Sequence, residues 1–569
     1  MNADEHRSKG TIVLSVLICV YLCPILDAVA ATLSVTIVDA ATGKPVPAAV
    51  RLYDSQQQLL IPDNALDLRG LGYLYEPGAL IHYADWTSPR VRSRDPHFGS
   101  SYFRQAHPGM TACFFVSGRF EIELPGGRYR LTIEKGMEYL PVERTIEMEG
   151  AGQQETVRLS RWVDMASRGW YSGDGHVHAQ RASADGSRIP LDWAAAEDIH
   201  LVNVLAMGDA EQTYYSQYAF GRAGVAARGD TVLLPGQEDP RTQYLGHTLH
   251  LNLPALVRDA ARYYDYSGVF ERARKAGGLS GFAHVGRRRW SFNAERGLSL
   301  LAPAGLVDFV EIAQMGYIGA DLWYEFLNLG FRLTAMAGSD VPWGGTIGEP
   351  RVYAQVGQGR FSPDRWVEAV RRGRTFVTTG PMLDLTVNGQ PPGSVLRVKK
   401  GETIHVRAEA WGDPPGARPL VLELLSFGRP LKTVTATPGQ KRLEAGMTLE
   451  TRHSLWITAR CQTNEGQLMD QPGYFSGAIA TPVYVEVDGR PAIDSENLPA
   501  LVERRMQSLD AVEQWLRDDG RGMERGGPAG RESAAALRQS AAAIQADLRH
   551  ARAFYLELNH KAAKNRKAH

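Results

Sequence analysis

Cysteine is scarce, with four residues in 569. Cys19 and Cys23 lie in an N-terminal apolar run, while Cys113 and Cys461 stand far apart. No Cys-x-x-Cys pair occurs, so any metal must rest on imidazoles and carboxylates. In an oxidising compartment Cys113 and Cys461 form one disulfide or stay two isolated thiols, and sequence alone does not choose. Net charge is also missing: 63 Lys and Arg balance 63 Asp and Glu. No global field draws the chain to nucleic acid or anionic membrane, so no nucleic-acid partner is expected. The zinc-peptidase signature His-Glu-x-x-His is absent, and so is any internal repeat. No apolar run reaches the roughly 20 residues of a membrane span.

What is present first is an export signal. Arg7 and Lys9 precede the apolar stretch Thr11 to Leu26, and Ala28-Val29-Ala30 offers a small-x-small cleavage site. Residues 1–30 are therefore expected to direct export to the periplasm, cell surface or medium. Cleavage leaves a soluble chain; retention leaves an anchor, the one expected link to a membrane. At 44% apolar and 22% charged residues, the remainder has a globular composition, and its length allows several domains.

Residues 31–159 read as β. Leu33 to Val38 alternates, Asp39 to Pro47 is turn chemistry, and Ala49 to Tyr53 resumes a strand. Phe120–Leu124 and Tyr129–Ile133, around Pro125-Gly-Gly127, read as a hairpin. Residues 56–118 form an insertion rich in aromatics (Tyr73, Tyr75, Tyr83, Trp86), serving core packing or a sugar-stacking surface. From 160 to 380 short apolar runs alternate with helical patterns: Ile199–Leu205, Thr231–Leu234, Gly281–His284, Val307–Ile312 and Arg332–Ala337. That alternation predicts a parallel α/β architecture with its site at the carboxyl ends of the strands. Residues 381–492 return to β, giving a second sandwich. Residues 497–569 read as a helical hairpin, Leu501–Leu516 and Ser533–Leu558.

Six of fifteen histidines fall between positions 176 and 284. In Asp174-Gly-His176-Val-His178 the two imidazoles share one face of a strand and can chelate one cation. Glu238 follows the Val-Leu-Leu-Pro run, His247 and His250 come next, His284 ends Gly281-Phe-Ala, and Asp340 follows Gly338-Ser339. Each ligand type thus appears where an apolar run stops.

This ordered set resembles the PHP (polymerase and histidinol phosphatase) superfamily, in particular the CehA/McbA-like metallohydrolases. Residues 31–159 resemble a carboxypeptidase-regulatory-like β-sandwich. The resemblance implies a multidomain chain whose central α/β PHP-type distorted (β/α)7 barrel is flanked by two β-sandwiches and a C-terminal helical hairpin. It implies that His176, His178, Glu238 and Asp340 hold a first metal, and that Glu238 bridges to a second completed by His247 and His284, with His250 as substitute for His247. The family's Thr-Asp-His-Asn is here Asn203 to Asp209, without histidine, and its Asp-x-His is Asp340-Val-Pro342. Both missing imidazoles serve a third metal, so two divalent cations are expected, with Asp209 as a weak further ligand.

Histidine and carboxylate donors suit zinc, manganese or iron without choosing among them. The resemblance implies that water activated by such cations cleaves an ester, carbamate, amide or phosphoester in a small-molecule or glycan-linked substrate, with Asp340 and Glu238 as catalytic groups. Arg287, in Arg287-Arg-Arg289, and Arg351 are candidates to receive an anionic substrate group, or are solvated charges. Asp174 orients an imidazole or belongs to the turn. Glu311 ends a strand and is a candidate to face the site, whereas His200 reads as a core histidine. The competing reading is a non-catalytic, glycan-binding surface scaffold built on a degenerate barrel.

Overall fold

The computed structural model describes residues 30–66, 113–286, 293–314, 316–341, 346–463, 474–520 and 533–567. Residues 1–29 of the expected export signal, residues 67–112 of the insertion with its four named aromatics, and Arg287 lie outside the described residues. The chain is multidomain and mostly sheet, with several sheets and eight described α-helices. Among the described residues no helix is long and apolar enough to cross a membrane.

The N-terminal unit packs two sheets. One pairs Ala31–Asp39 with Arg119–Leu124 and Gln153–Leu159; the other joins Phe114–Val116, Ala48–Tyr53, Gly127–Glu134 and Val142–Met148. The hairpin expected around Pro125 is therefore not formed. Arg119–Leu124 pairs in the first sheet and Gly127–Glu134 in the second. The reason is the core: Phe120 and Leu124 from one sheet and Leu131 and Ile133 from the other bury together, which a local hairpin would not achieve.

Seven strands position the site: Trp170–Val177, Leu201–Gly208, Thr231–Thr242, Gly246–Leu251, Leu279–Phe282, Phe309–Gln314 and Thr334–Gly338. The first three pair in parallel, the fourth runs antiparallel to both neighbours, and the last three are parallel again. Beyond the seventh, the chain returns to the first through a parallel bridge, Val177 to Val341, with the Asp340 N–H donating to the His176 carbonyl at 2.8 Å. The seven strands are almost wholly buried, as sheets covered on both faces are. Tyr266–Lys275 shows how the covering helices form. Asp265 caps it by accepting from the Gly268 N–H at 3.0 Å, worth about 1 kcal/mol. Val269, Phe270 and Ala273 face the core, and Arg272, Arg274 and Lys275 occupy the last turn, where cations meet the carbonyl end of the dipole.

The third strand differs from its expectation. It runs for 12 residues, so Glu238 lies inside it, at a bulge before Arg241, and not at its end. Pro240, which has no N–H to give the ladder, sits in that bulge. The boundary drawn at 380/381 is not a break in the sheet. Arg351–Gln355 pairs with the first strand and with Thr375–Thr378, which pairs with Gly477–Ala480 of the following β region. Cys113 and Cys461 are not joined and lie in different cores. The C-terminal helices Leu498–Arg517 and Ala534–Lys567 pack on the strand-and-helix unit: Trp515 stacks on Tyr244 at 4.4 Å, and Arg505 reaches Glu295 at 2.7 Å and Glu325 at 2.9 Å.

Candidate metal centre

The first strand carries His176, and His178 follows directly, so the two side chains share a face. Their Nε2 atoms stand 3.1 Å apart. Two ligands of one cation, each at about 2.0–2.1 Å, stand roughly 3 Å apart. Each ring's other nitrogen is committed. His178 Nδ1 donates to the Leu205 carbonyl at 3.1 Å, and His176 Nδ1 faces Glu311 Oε1 at 3.1 Å. Those outer partners keep the protons on Nδ1 and the Nε2 lone pairs inward.

Two carboxylates face these nitrogens and a third imidazole at once. Glu238 Oε2 lies 3.3 Å from His178 Nε2 and 3.8 Å from His176 Nε2, while its Oε1 lies 2.7 Å from His247 Nδ1 and 3.9 Å from His284 Nε2. Asp340 Oδ1 lies 3.4 Å from His176 Nε2 and 3.6 Å from His178 Nε2, and its Oδ2 lies 3.4 Å from His284 Nε2. All six residues are buried. The donor set therefore fits a metal ion: His176–His178–Glu238, Glu238–His247–His284 and His176–His284–Glu311 are each grouped closely enough to hold one. Soft ligands are absent from these groups, so the centre suits borderline and hard divalent cations.

Charge supports the fit. Glu238, Asp340 and Glu311 bring three carboxylates, answered by Arg241, whose Nε lies 3.2 Å from Glu238 Oε2. Burial opposes ionisation of Asp340, yet His176, His178 and His284 outweigh it and hold its carboxyl well below the usual range. Burial likewise opposes ionisation of Glu238, and Arg241 and the imidazoles overcome it. His176 is pushed the other way. Burial disfavours its charged form, but Asp340 and Glu311 raise it well above an ordinary histidine. The same surplus of negative charge is what a bound cation would offset.

The backbone is shaped around the cluster. His284 and Asp340 both adopt left-handed φ, 58° and 55°, which is uncommon away from glycine. Gly338 allows the seventh strand to pass the first: a Cβ there would meet His176 Cβ at 2.3 Å and Glu311 Oε1 at 2.4 Å. Asp174 serves the backbone and neither imidazole. It accepts from the N–H groups of His176 (2.9 Å), Ser339 (3.0 Å) and Gly348 (2.8 Å), while burial pushes its carboxyl up to about 6.

The structure gathers His176, His178, Glu238, His247, His284 and Asp340, and adds Glu311. It does not bring the other candidates in. His250 is tied to Ser280 at 2.8 Å and Thr248 at 3.1 Å. Asp209 is a turn residue, accepting from the Glu211 and Gln212 amides and the Tyr214 hydroxyl. Arg351 is buried away from the cluster, with Nε donating to the Gly348 carbonyl and Nη2 to the Glu197 carbonyl; its strand lies between the first strand and Thr375–Thr378. His200 is a buried histidine bonded to Ser172 at 2.9 Å. Three participants carried no sequence signal: Arg241, Gln314, which donates to Asp340 Oδ2 at 3.0 Å, and the Leu205 carbonyl.

No family model matches the chain, and no curated protein matches it. Among solved structures it is similar to PsfC from Pseudomonas syringae PB-5123, at 14% identity over 35% of this chain and 88% of that one, with a TM-score of 0.23. It is similar to the lesion-specific endonuclease PfuEndoQ from Pyrococcus furiosus, at 12% identity over 34% and 55% of the two chains and a TM-score of 0.22. It is also similar to the major pilin subunit BcpA of Bacillus cereus, at 7% identity over 80% and 69% and a TM-score of 0.23. Scores this low carry no argument, so the functional reading rests on the cluster itself.

Proposed function

We propose that this chain is an exported, metal-dependent hydrolase of the PHP type and the CehA/McbA-like kind, built on a distorted (β/α)7 barrel that holds two divalent cations. One observation carries the reading: Glu238 and Asp340 each turn one oxygen toward His176 and His178 and the other toward His284. His176, His178, Glu238 Oε2 and Asp340 Oδ1 would hold one cation; Glu238 Oε1, Asp340 Oδ2, His247 and His284 would hold the other. A divalent cation bound there lowers the pKa of its water to about 7 and stabilises developing negative charge on an oxygen.

The protein's own groups set the conditions for that chemistry. Glu311 and the Leu205 carbonyl keep the protons of His176 and His178 on Nδ1. Gln314 orients Asp340, and Arg241 offsets charge on the Oε2 side of Glu238. Burial of these side chains limits how far bulk water weakens these interactions. The substrate class is an ester, carbamate, amide or phosphoester, on a small molecule or a glycan.

Metal analysis of the purified full-length protein tests the reading, together with a panel of those four substrate classes. Close to two metal ions per chain and chelator-sensitive hydrolysis are expected. His176→Ala should lose metal and hydrolysis while both sandwiches stay folded by circular dichroism. Metal well below one per chain in the unmutated protein would overturn the proposal in favour of a binding scaffold.

A further inference from the structure

A polar cleft opens at the opposite end of the seventh strand. The cluster sits where the seventh strand, Thr334–Gly338, runs out; Thr334, at its start, lines a cleft of about 370 Å³. At about 3.3 Å per residue, Thr334 and Asp340 are roughly 20 Å apart, so the two sites share no residue. The cleft lining carries four guanidinium groups, Arg332, Arg371, Arg372 and Arg374, and no carboxylate.

Part of that charge has an ordinary explanation. Arg371 and Arg372 close the helix Pro363–Arg371 and pair with Glu368 at 3.5 and 2.6 Å, and Arg332 pairs with Glu486. Helix-end pairing of this kind is common. It does not account for Arg374, which is half-buried and has no carboxylate within ion-pair distance among the described residues. Nor does it account for Tyr484. That side chain is 4% exposed and lines the cleft, and its hydroxyl is buried without a hydrogen-bond partner. The Arg332 guanidinium lies over its ring, 5.5 Å from the centroid. Buried hydroxyls are nearly always bonded, so one that is not marks a position where something else donates or accepts. Burial pushes this phenol upward, so it stays protonated and able to donate.

We infer that this cleft is an anion site for a small phosphate-bearing molecule, with Arg374 and the Tyr484 hydroxyl as its recognition groups and Arg332, Arg371 and Arg372 supplying the field. Guanidinium forks match phosphate oxygens in geometry and charge. The phenol O–H would complete the set by donating to an oxygen that the arginines leave open. The volume admits a pyrophosphate or a small phosphate ester but not a macromolecular chain.

Isothermal titration of the full-length, metal-loaded protein with pyrophosphate tests this. Pyrophosphate also meets the metal cluster, so the titration is repeated on His176→Ala. A saturable event should persist in that variant, weaken at least tenfold in Arg374→Ala, and weaken several-fold in Tyr484→Phe. Added salt should weaken it further. Thermal unfolding supplies an independent readout. Tyr484→Phe removes a hydroxyl without a protein partner, so the ligand-free midpoint should hold or rise, and the pyrophosphate-induced increase should shrink. Binding that vanishes with His176→Ala, or that Arg374→Ala leaves unchanged, overturns the inference. So does a fall in the ligand-free midpoint of Tyr484→Phe.

Discussion

Replacing Glu311 separates a residue that orients ligands from one that is a ligand. Glu311 accepts from His176 Nδ1 at 3.1 Å and from the His284 backbone N–H at 2.8 Å. It thereby fixes one imidazole by its ring and another by its main chain. Outer partners of this kind typically account for 10–100-fold in metal affinity, about 1.4–2.8 kcal/mol. Glu311→Gln keeps an oxygen facing His176 and should sit near the tenfold end. Glu311→Ala removes both acceptors and should reach a hundredfold or more. The assay is metal retention against a graded chelator, followed by stoichiometry at saturating metal. Weaker retention with the full complement restored by excess metal is expected. If Glu311→Ala retains metal as tightly as the unmutated protein, the orienting role is refuted. If one equivalent is lost at every metal concentration, Glu311 belongs among the ligands.

Two further changes test the surrounding structure. Gly338→Ala drives a Cβ to 2.3 Å from His176 Cβ; overpacking of that order destabilises by about 1–3 kcal/mol and should also lower metal content. Gly416→Ala, with nothing within 4 Å of the added atom, should leave both the unfolding midpoint and the metal unchanged. Glu197 is buried, accepts from Thr346 Oγ1 at 2.8 Å, and burial raises its carboxyl from 4.5 to about 7. The folded state then holds this proton more tightly than the unfolded state. Stability falls as pH rises from about 4.5 to 7, by on the order of 3 kcal/mol from this group. Glu197→Gln should flatten that part of the profile in denaturant unfolding at pH 5 and pH 8; an unchanged difference between the two pH values would contradict the assignment.

The cluster was legible because its members are chemically conspicuous against apolar runs. His176 and His178 alternate on one strand, and His284 and Asp340 follow Gly-Phe-Ala and Ala-Gly-Ser. Glu311 was readable as a strand-end carboxylate that could face the site, but its orienting role was not, since that depends on His176, 135 positions away. Arg351 looked equivalent to a site arginine because strand pairing decides which end of a strand faces the cluster. Residues 31–159 and 381–492 were readable as β from alternation, but the partner of each strand was not. Arg119–Leu124 and Gly127–Glu134 are neighbours in sequence and belong to different sheets. The pairing of Thr375–Thr378 with Gly477–Ala480 spans about a hundred residues and leaves no trace in local periodicity.

The backbone at the two left-handed ligands adds an argument that composition could not. A non-glycine residue at positive φ is disfavoured by roughly 1–2 kcal/mol, and glycine would relieve it at either position. The chain places His284 and Asp340 there instead, and the groups that hold those conformations belong to the cluster. The His284 N–H donates to Glu311 Oε2, and the Asp340 N–H donates to the His176 carbonyl. Each strained residue is therefore fixed by a residue that also touches the other imidazoles. A change at any one of Glu311, His176 or Gly338 should then shift both strained positions together, so that metal affinity falls by more than the separate effects predict. Double-mutant cycles between Glu311 and Asp340, read as chelator resistance, should show coupling well above the 0.3–0.5 kcal/mol, about the scatter expected of independent sites.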